Sequence, residues 1–220
     1  MAKPVLITLA FLIFIASCQN STSSRGKMLK NDKEKSKAAK QNTNSNTSII
    51  FVDIQPFSDI PNEVVNYEFA ELKKVYPNLT LKRPIELPHF AFYRPRNRYK
   101  ADLLREYLGS NTYLSHVTLG LTSKDISTIK GAIADWGVMG LGACPGNSCI
   151  VSTFRLAKEE MLMQLYKVCI HELGHTQGLQ HCSVKTCFMR DAEGKNTTND
   201  EIEFCQKCKA YLVARGWQFK

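Results

Sequence analysis

The sequence predicts an α/β or α+β fold, a mixed twisted sheet packed on helices. Three observations predict it. Short β-branched runs recur from residue 49 onward, segments with apolar residues every three or four positions lie between them, and helices and loops follow towards the C-terminus. Residues 49–54 form the first strand-like run. Residues 61–76 have helical spacing, with Val64, Val65, Phe69, Leu72 and Val75 on one side and Pro61 suited to the first turn. Residues 79–87 read as extended, interrupted by Pro84, and residues 99–108 as a helix ended by Gly109. Strands are predicted over 112–121, 136–141 and 149–154, then a long helix over 158–176. A last helix is predicted over 199–215, with Thr198 and Glu201 as a capping box and Gly216 as its stop. No internal repeat interrupts this order.

The N-terminus is of a different kind. Lys3 precedes an apolar run from Val5 to Ile15, too short for a comfortable membrane span and suited to the core of a secretion signal. The sequence Ile15-Ala16-Ser17-Cys18 then resembles the lipobox of bacterial lipoproteins, in which the signal is removed and the cysteine becomes a lipidated N-terminus. A plain signal peptide or an uncleaved anchor is the other reading of the same residues. Residues 19–48 are rich in Ser, Asn, Thr, Lys and Gln and bury too little to offset the entropy of ordering. They read as a basic tether: Arg25, Lys27, Lys30, Lys33, Lys35, Lys37 and Lys40 face only Asp32 and Glu34, and so hold five of the nine net positive charges. Such a tether suits an anionic membrane surface. The remaining residues are only mildly basic, which argues against nucleic acid as the main partner. The expected organisation is a lipoprotein signal over 1–17, lipidated Cys18 and its tether over 18–48, and one folded domain over 49–220. The expected setting is extracytoplasmic, anchored to a membrane, as a monomer.

The chemistry concentrates on the long helix. His171 and His175, four residues apart, lie on one helix face about one turn apart, so both imidazoles reach one ion. Leu162, Tyr166, Cys169 and Leu173 form a separate apolar stripe on another side. Gly178 permits the left-handed backbone that ends a helix, and His181 follows the turn as a third ligand. Three neutral imidazoles leave the fourth tetrahedral position of a zinc ion open, the style of a catalytic site. Zinc in such a site activates a water and polarises a carbonyl. Glu172, beside the first ligand, is placed to take the water's proton and pass it to a leaving amine.

Eight cysteines need explanation. Cys182, Cys187, Cys205 and Cys208 form a late cluster in which Cys205 and Cys208 share one side of the last helix. Four thiolates from two segments suit a closed structural zinc site, and Cys182 directly follows His181. Two disulfides are the alternative, permitted outside the cytoplasm. Cys144 and Cys149 bracket a four-residue loop and are either disulfide-bonded or free. Cys169 lies on the apolar stripe as a core residue. His89 and His116 lack ligand-like spacing.

Together, His171-Glu172-x-x-His175-x-x-Gly178-x-x-His181-Cys182, Cys187-x-Met189 and Cys205-x-x-Cys208 resemble the archaemetzincin family. The runs Trp136–Gly142 and Val151–Leu156 resemble it too, and the similarity extends from about residue 49 to the C-terminus. The resemblance implies a metzincin-like zincin domain with an active-site helix and a C-terminal helical subdomain. It implies a zinc metallopeptidase acting on peptides or proteins with two zinc ions per chain. The catalytic ion would sit on His171, His175 and His181 with Glu172 catalytic, the structural one on the four cysteines. Met189 would form the turn beneath the zinc ligands, and residues 149–154 the strand edge that pairs with substrate backbone. The competing reading is a non-catalytic, zinc-containing lipoprotein used as a binding module.

Overall fold

The computed structural model describes residues 50–219. The expected secretion signal, Cys18 and the whole of the expected tether over 18–48 therefore lie outside the described residues.

Nine strands and four α-helices are described, in two sheets. The larger sheet has the order β2-β1-β5-β9-β8. Its strands β1 (Phe51–Pro56), β2 (Leu79–Leu81), β5 (His116–Thr122) and β9 (Ser148–Ser152) pair in parallel, and β8 (Gly140–Gly142) closes one edge antiparallel to β9. β9 is buried at every residue and β5 at all but the first, as strands covered on both faces are. The second sheet has the order β3-β4-β6-β7: Phe92–Tyr93, Arg98–Lys100, Ile126–Lys130 and Ile133–Val138.

Helices cover both faces of the larger sheet. α1 (Asn62–Val75) and α3 (Met161–Thr176) pack with Val52, Ile54, Leu119, Leu121 and Val151 into the main core, which Trp217 and Leu212 close from the C-terminal side. α2 (Ala101–Ser110) lies on the other face with Leu104, Leu108, Ile126 and Ile150. Gly120 makes that approach close: a Cβ there would stand 2.5 Å from a Leu108 methyl group.

Four sequence expectations need correction. The strand Ile126–Lys130 was not anticipated. The predicted strand over 136–141 is two strands in two sheets: β7 pairs with β6, and after Met139 the chain crosses to pair β8 with β9. Burial cannot signal that change of partner, because both halves are partly buried. The segment 79–87 is a strand only over its first three residues, with Ile85 making an isolated bridge to Phe57. The last helix, α4, is Gln206–Val213 rather than 199–215. Residues Thr198 and Glu201 do not cap it. Their carbonyls instead accept hydrogen bonds from Lys167 Nζ on α3, at 2.7 and 2.6 Å, which draws this segment onto the neighbouring helix. Gly216 does stop the C-terminal turn, at φ +90°.

α1 carries a buried acid. Glu68 is fully buried, and neither carboxyl oxygen has a hydrogen-bond partner among the described residues. Burial pushes its carboxyl from 4.5 up to about 8. Between those values the folded chain keeps a proton that the unfolded chain releases, so stability falls as pH rises through this window. Glu68→Gln is accordingly expected to be more stable than wild type by on the order of 3 kcal/mol at pH 8. In urea unfolding that advantage should shrink by about 1.4 kcal/mol for each pH unit below 8. An advantage that did not change with pH would contradict the assignment.

Candidate metal centre and cleft

α3 presents its chemistry through its last turns. His171 and His175 come to one face, and their ring centroids are 4.6 Å apart. Gly178, at φ +96°, turns the chain, and the space a Cβ would fill is taken by Tyr211 Oη at 2.9 Å. The turn returns His181 to the pair. His175 Nε2 lies 3.0 Å from His171 Nε2 and 3.3 Å from His181 Nε2.

The other ring nitrogens explain this orientation. His171 Nδ1 donates to the Phe188 carbonyl at 2.6 Å, and His175 Nδ1 to the Leu179 carbonyl at 2.7 Å. These tautomers, inferred from carbonyl partners that can only accept, leave both Nε2 lone pairs facing the common point. Burial depresses both imidazoles, His171 to about 3, so they stay neutral and able to ligate. His181 Nδ1 lies 3.5 Å from Asp191 Oδ2. The donor set, its convergence and its neutral state fit a zinc ion.

Glu172 lines the same cleft as the three histidines and lies under β8. A Cβ on Gly140 would stand 2.6 Å from Glu172 Oε1, and one on Gly142 would stand 2.8 Å from the Glu172 carbonyl and 3.2 Å from His175 Cβ. Two glycines thus let a strand edge lie directly over the acid. Burial pushes the Glu172 carboxyl up to about 8, against a hydrogen bond from the Gly142 backbone that lowers it. The edge strand itself is a correction: β9, expected to pair with substrate, is interior, flanked by β5 and β8. Of the sheet's two edge strands among the described residues, β2 and β8, it is β8 that lines the cleft.

Met189 is fully buried, and its Sδ lies 2.6 Å from where a Cβ on Gly174 would be, beneath the helix between the two histidines. The cysteines flank this turn. Cys182 N donates to the Met189 carbonyl at 2.8 Å, tying the third histidine's neighbour to the buried methionine. The sulfurs of Cys182, Cys187, Cys205 and Cys208 lie within 4.8 Å of one another. Cys182 and Cys205 sulfurs are 3.7 Å apart, far beyond the about 2.05 Å of a disulfide. Cys187 Sγ accepts the Cys205 and Met189 amides at 3.3 and 3.5 Å; burial outweighs these bonds and pushes its thiol up. Burial pushes the Cys205 thiol up, but hydrogen bonds from the Cys208 backbone and the neighbouring thiols outweigh it and pull it down to about 7. Cys144 and Cys149 are both free, one exposed and one buried in β9. Cys169 is fully buried, as expected. His116 pairs with Asp53 at 2.9 Å on the far end of the sheet, apart from the cleft.

A cleft of about 610 Å³ runs along these residues, bounded by β7, β8, α3 and the segment 190–201. Asp191 had no signal in the sequence: a lone aspartate two residues after Met189 gains meaning only when the loop brings it to His181. Asp191→Asn should weaken zinc binding about tenfold by loosening His181. A competition titration against a chelator would measure this, and an unchanged affinity would remove Asp191 from the site.

Comparison with known proteins adds independent findings. The family model for peptidase family M54 matches residues 96–214. The archaemetzincin of Haloquadratum walsbyi is 29% identical over 177 residues, spanning 74% of this chain and 99% of that protein. The archaemetzincin of Methanopyrus kandleri is 33% identical over 135 residues, 60% of this chain and 75% of that protein. The crystal structure of archaemetzincin from Methanopyrus kandleri superposes with a TM-score of 0.65 at 26% identity, covering 79% of this chain and 98% of that one.

Proposed function

This chain belongs to peptidase family M54 and is a zinc metallopeptidase, and we propose that His171, His175 and His181 hold its catalytic zinc while Glu172 acts as general base. The observation that carries the proposal is the meeting of three Nε2 atoms beside Glu172, directly under an unpaired strand edge. When bound, zinc supplies a Lewis acid and a water of lowered pKa.

The chain's own residues do the rest. The free edge of β8 pairs with an extended peptide and fixes its scissile carbonyl at the histidines. Gly140 and Gly142 keep that edge close to Glu172. Glu172 takes a proton from the attacking water, then delivers it to the departing amine nitrogen. Its buried, apolar setting raises its basicity towards neutral pH, where a general base works best. Phe188 and Leu179 carbonyls hold two imidazoles in place, and Asp191 steadies the third. The non-catalytic binding reading has no missing residue in its favour.

We further propose that Cys182, Cys187, Cys205 and Cys208 bind a second, structural zinc. The chain would then hold two ions. Free thiols at non-bonding sulfur distances support this over two disulfides. From the sequence alone we propose that Cys18 is lipidated, so that residues 18–48 tether a monomeric enzyme to a membrane outside the cytoplasm. Two measurements test the function. Zinc stoichiometry should be two per chain, and digestion of a peptide library should yield defined cleavages that chelation abolishes. A zinc-loaded chain that cleaves nothing in the library would refute the peptidase role of this site. Growth with labelled fatty acid should label the full chain but not Cys18→Ala, and label on both would refute the anchor.

A further inference from the structure

Lys167 stands one helical turn before His171 on α3 and lines the same cleft as His171 and Glu172. It is 8% exposed. Its ammonium has three N–H donors. Two go to the Thr198 and Glu201 carbonyls. No carboxylate lies within 4.0 Å of it among the described residues. Glu201, an acidic residue of the same cleft wall, spends Oε1 on the Thr197 hydroxyl at 3.0 Å. Burial pushes that carboxyl towards its neutral form, against the Thr197 hydrogen bond and the Lys167 charge. Buried charges are ordinarily paired, because an ammonium removed from water without a counter-ion is costly. Here the third N–H has no acceptor among the described residues, and Lys167 lines the cleft.

The strand edge says which substrate residue meets it. β8 runs alongside α3, with Gly140 over the Glu172 carboxylate and Gly142 nearer His175. A peptide pairing antiparallel with β8 therefore travels from the Gly142 end towards the Gly140 end. Residues after the scissile bond lie at the end where Lys167 stands, about 6 Å along the helix from His171.

We infer that Lys167 is a specificity-determining residue, which selects a glutamate or aspartate side chain immediately after the scissile bond. This rests on the proposed peptidase reading of the same cleft. The substrate carboxylate takes the third N–H of Lys167 and supplies the missing counter-charge, while the two carbonyls hold the ammonium in position. A lysine at this point looks in sequence like any helix surface residue; only its burial marks it.

Three measurements on the zinc-loaded chain test this. Peptides with amidated C-termini, so that only side chains offer carboxylates, should be cut preferentially before Glu or Asp. Lys167→Met should lower kcat/KM for an acidic residue there, relative to leucine, by about a hundredfold or more, with Lys167→Arg keeping the acidic preference. Calorimetry on wild type should find that a peptide hydroxamate with a carboxyethyl side chain in that position binds at least about tenfold tighter than its isobutyl counterpart. The calorimetric comparison needs neither turnover nor a folded variant. Equal or reversed affinities would overturn the inference, as would a preference for apolar residues in wild type or an acidic preference that survives in Lys167→Met. Cleavage without acidic preference removes the role of Lys167 and leaves the peptidase reading intact. Preferential binding of the acidic hydroxamate without any cleavage does the opposite.

Discussion

Glu172→Gln is expected to bind zinc as wild type does and to hydrolyse peptides about a hundred to ten thousand times more slowly. The amide fits the same space beneath Gly140, so the fold and the three imidazoles are undisturbed. What is lost is the group that accepts the water's proton and returns it to the amine. The loss should fall on kcat, with KM little changed, since the amide keeps the shape of the carboxylate beneath Gly140 and Gly142. Metal content by mass spectrometry and steady-state kinetics on one cleaved peptide measure both sides of the expectation. Undiminished hydrolysis with zinc bound would show that another group carries the proton.

The second large effect belongs to the cysteines. Cys205→Ser is expected to leave one zinc per chain instead of two and to lower the melting temperature by more than about 10 °C. Structural zinc contributes on the order of 10 kcal/mol of binding energy in small sites, and removing one thiolate forfeits several of these. The consequence reaches the catalytic centre through short paths. Cys182 adjoins His181, and its amide holds the Met189 carbonyl. Cys187 Sγ receives the Met189 amide. Activity should therefore fall with the melting temperature although no catalytic group is altered. Two zinc ions and an unchanged melting temperature in Cys205→Ser would exclude the four-thiolate site, and so would a wild-type chain without free thiols.

Most of the metal centre was legible because its parts are local. His171, Glu172, His175, Gly178 and His181 span eleven residues, and helix periodicity plus one left-handed glycine determine their geometry. Met189 and the cysteines were legible through the family resemblance and their spacing. The cleft walls were not. The stretch 136–141 carries no mark of where it leaves one sheet for the other, since a strand's partner is set by what lies beside it. Residues 199–205 have helical composition and a capping pattern, yet Lys167 holds their start by its carbonyls, and a tertiary bond outweighs a local preference of a few tenths of a kcal/mol per residue.

The sequence by itself determined the fold class from the order of its elements, and singled out three histidines, Glu172 and the paired cysteines, because their spacing is local. Only the tertiary structure decided that β8 rather than β9 offers the free edge, that Asp191 meets His181, and that Lys167 is buried with no carboxylate in contact among the described residues. These depend on which distant segments touch, and contact across the fold is set by the packing of the whole core rather than by the pattern of any one segment.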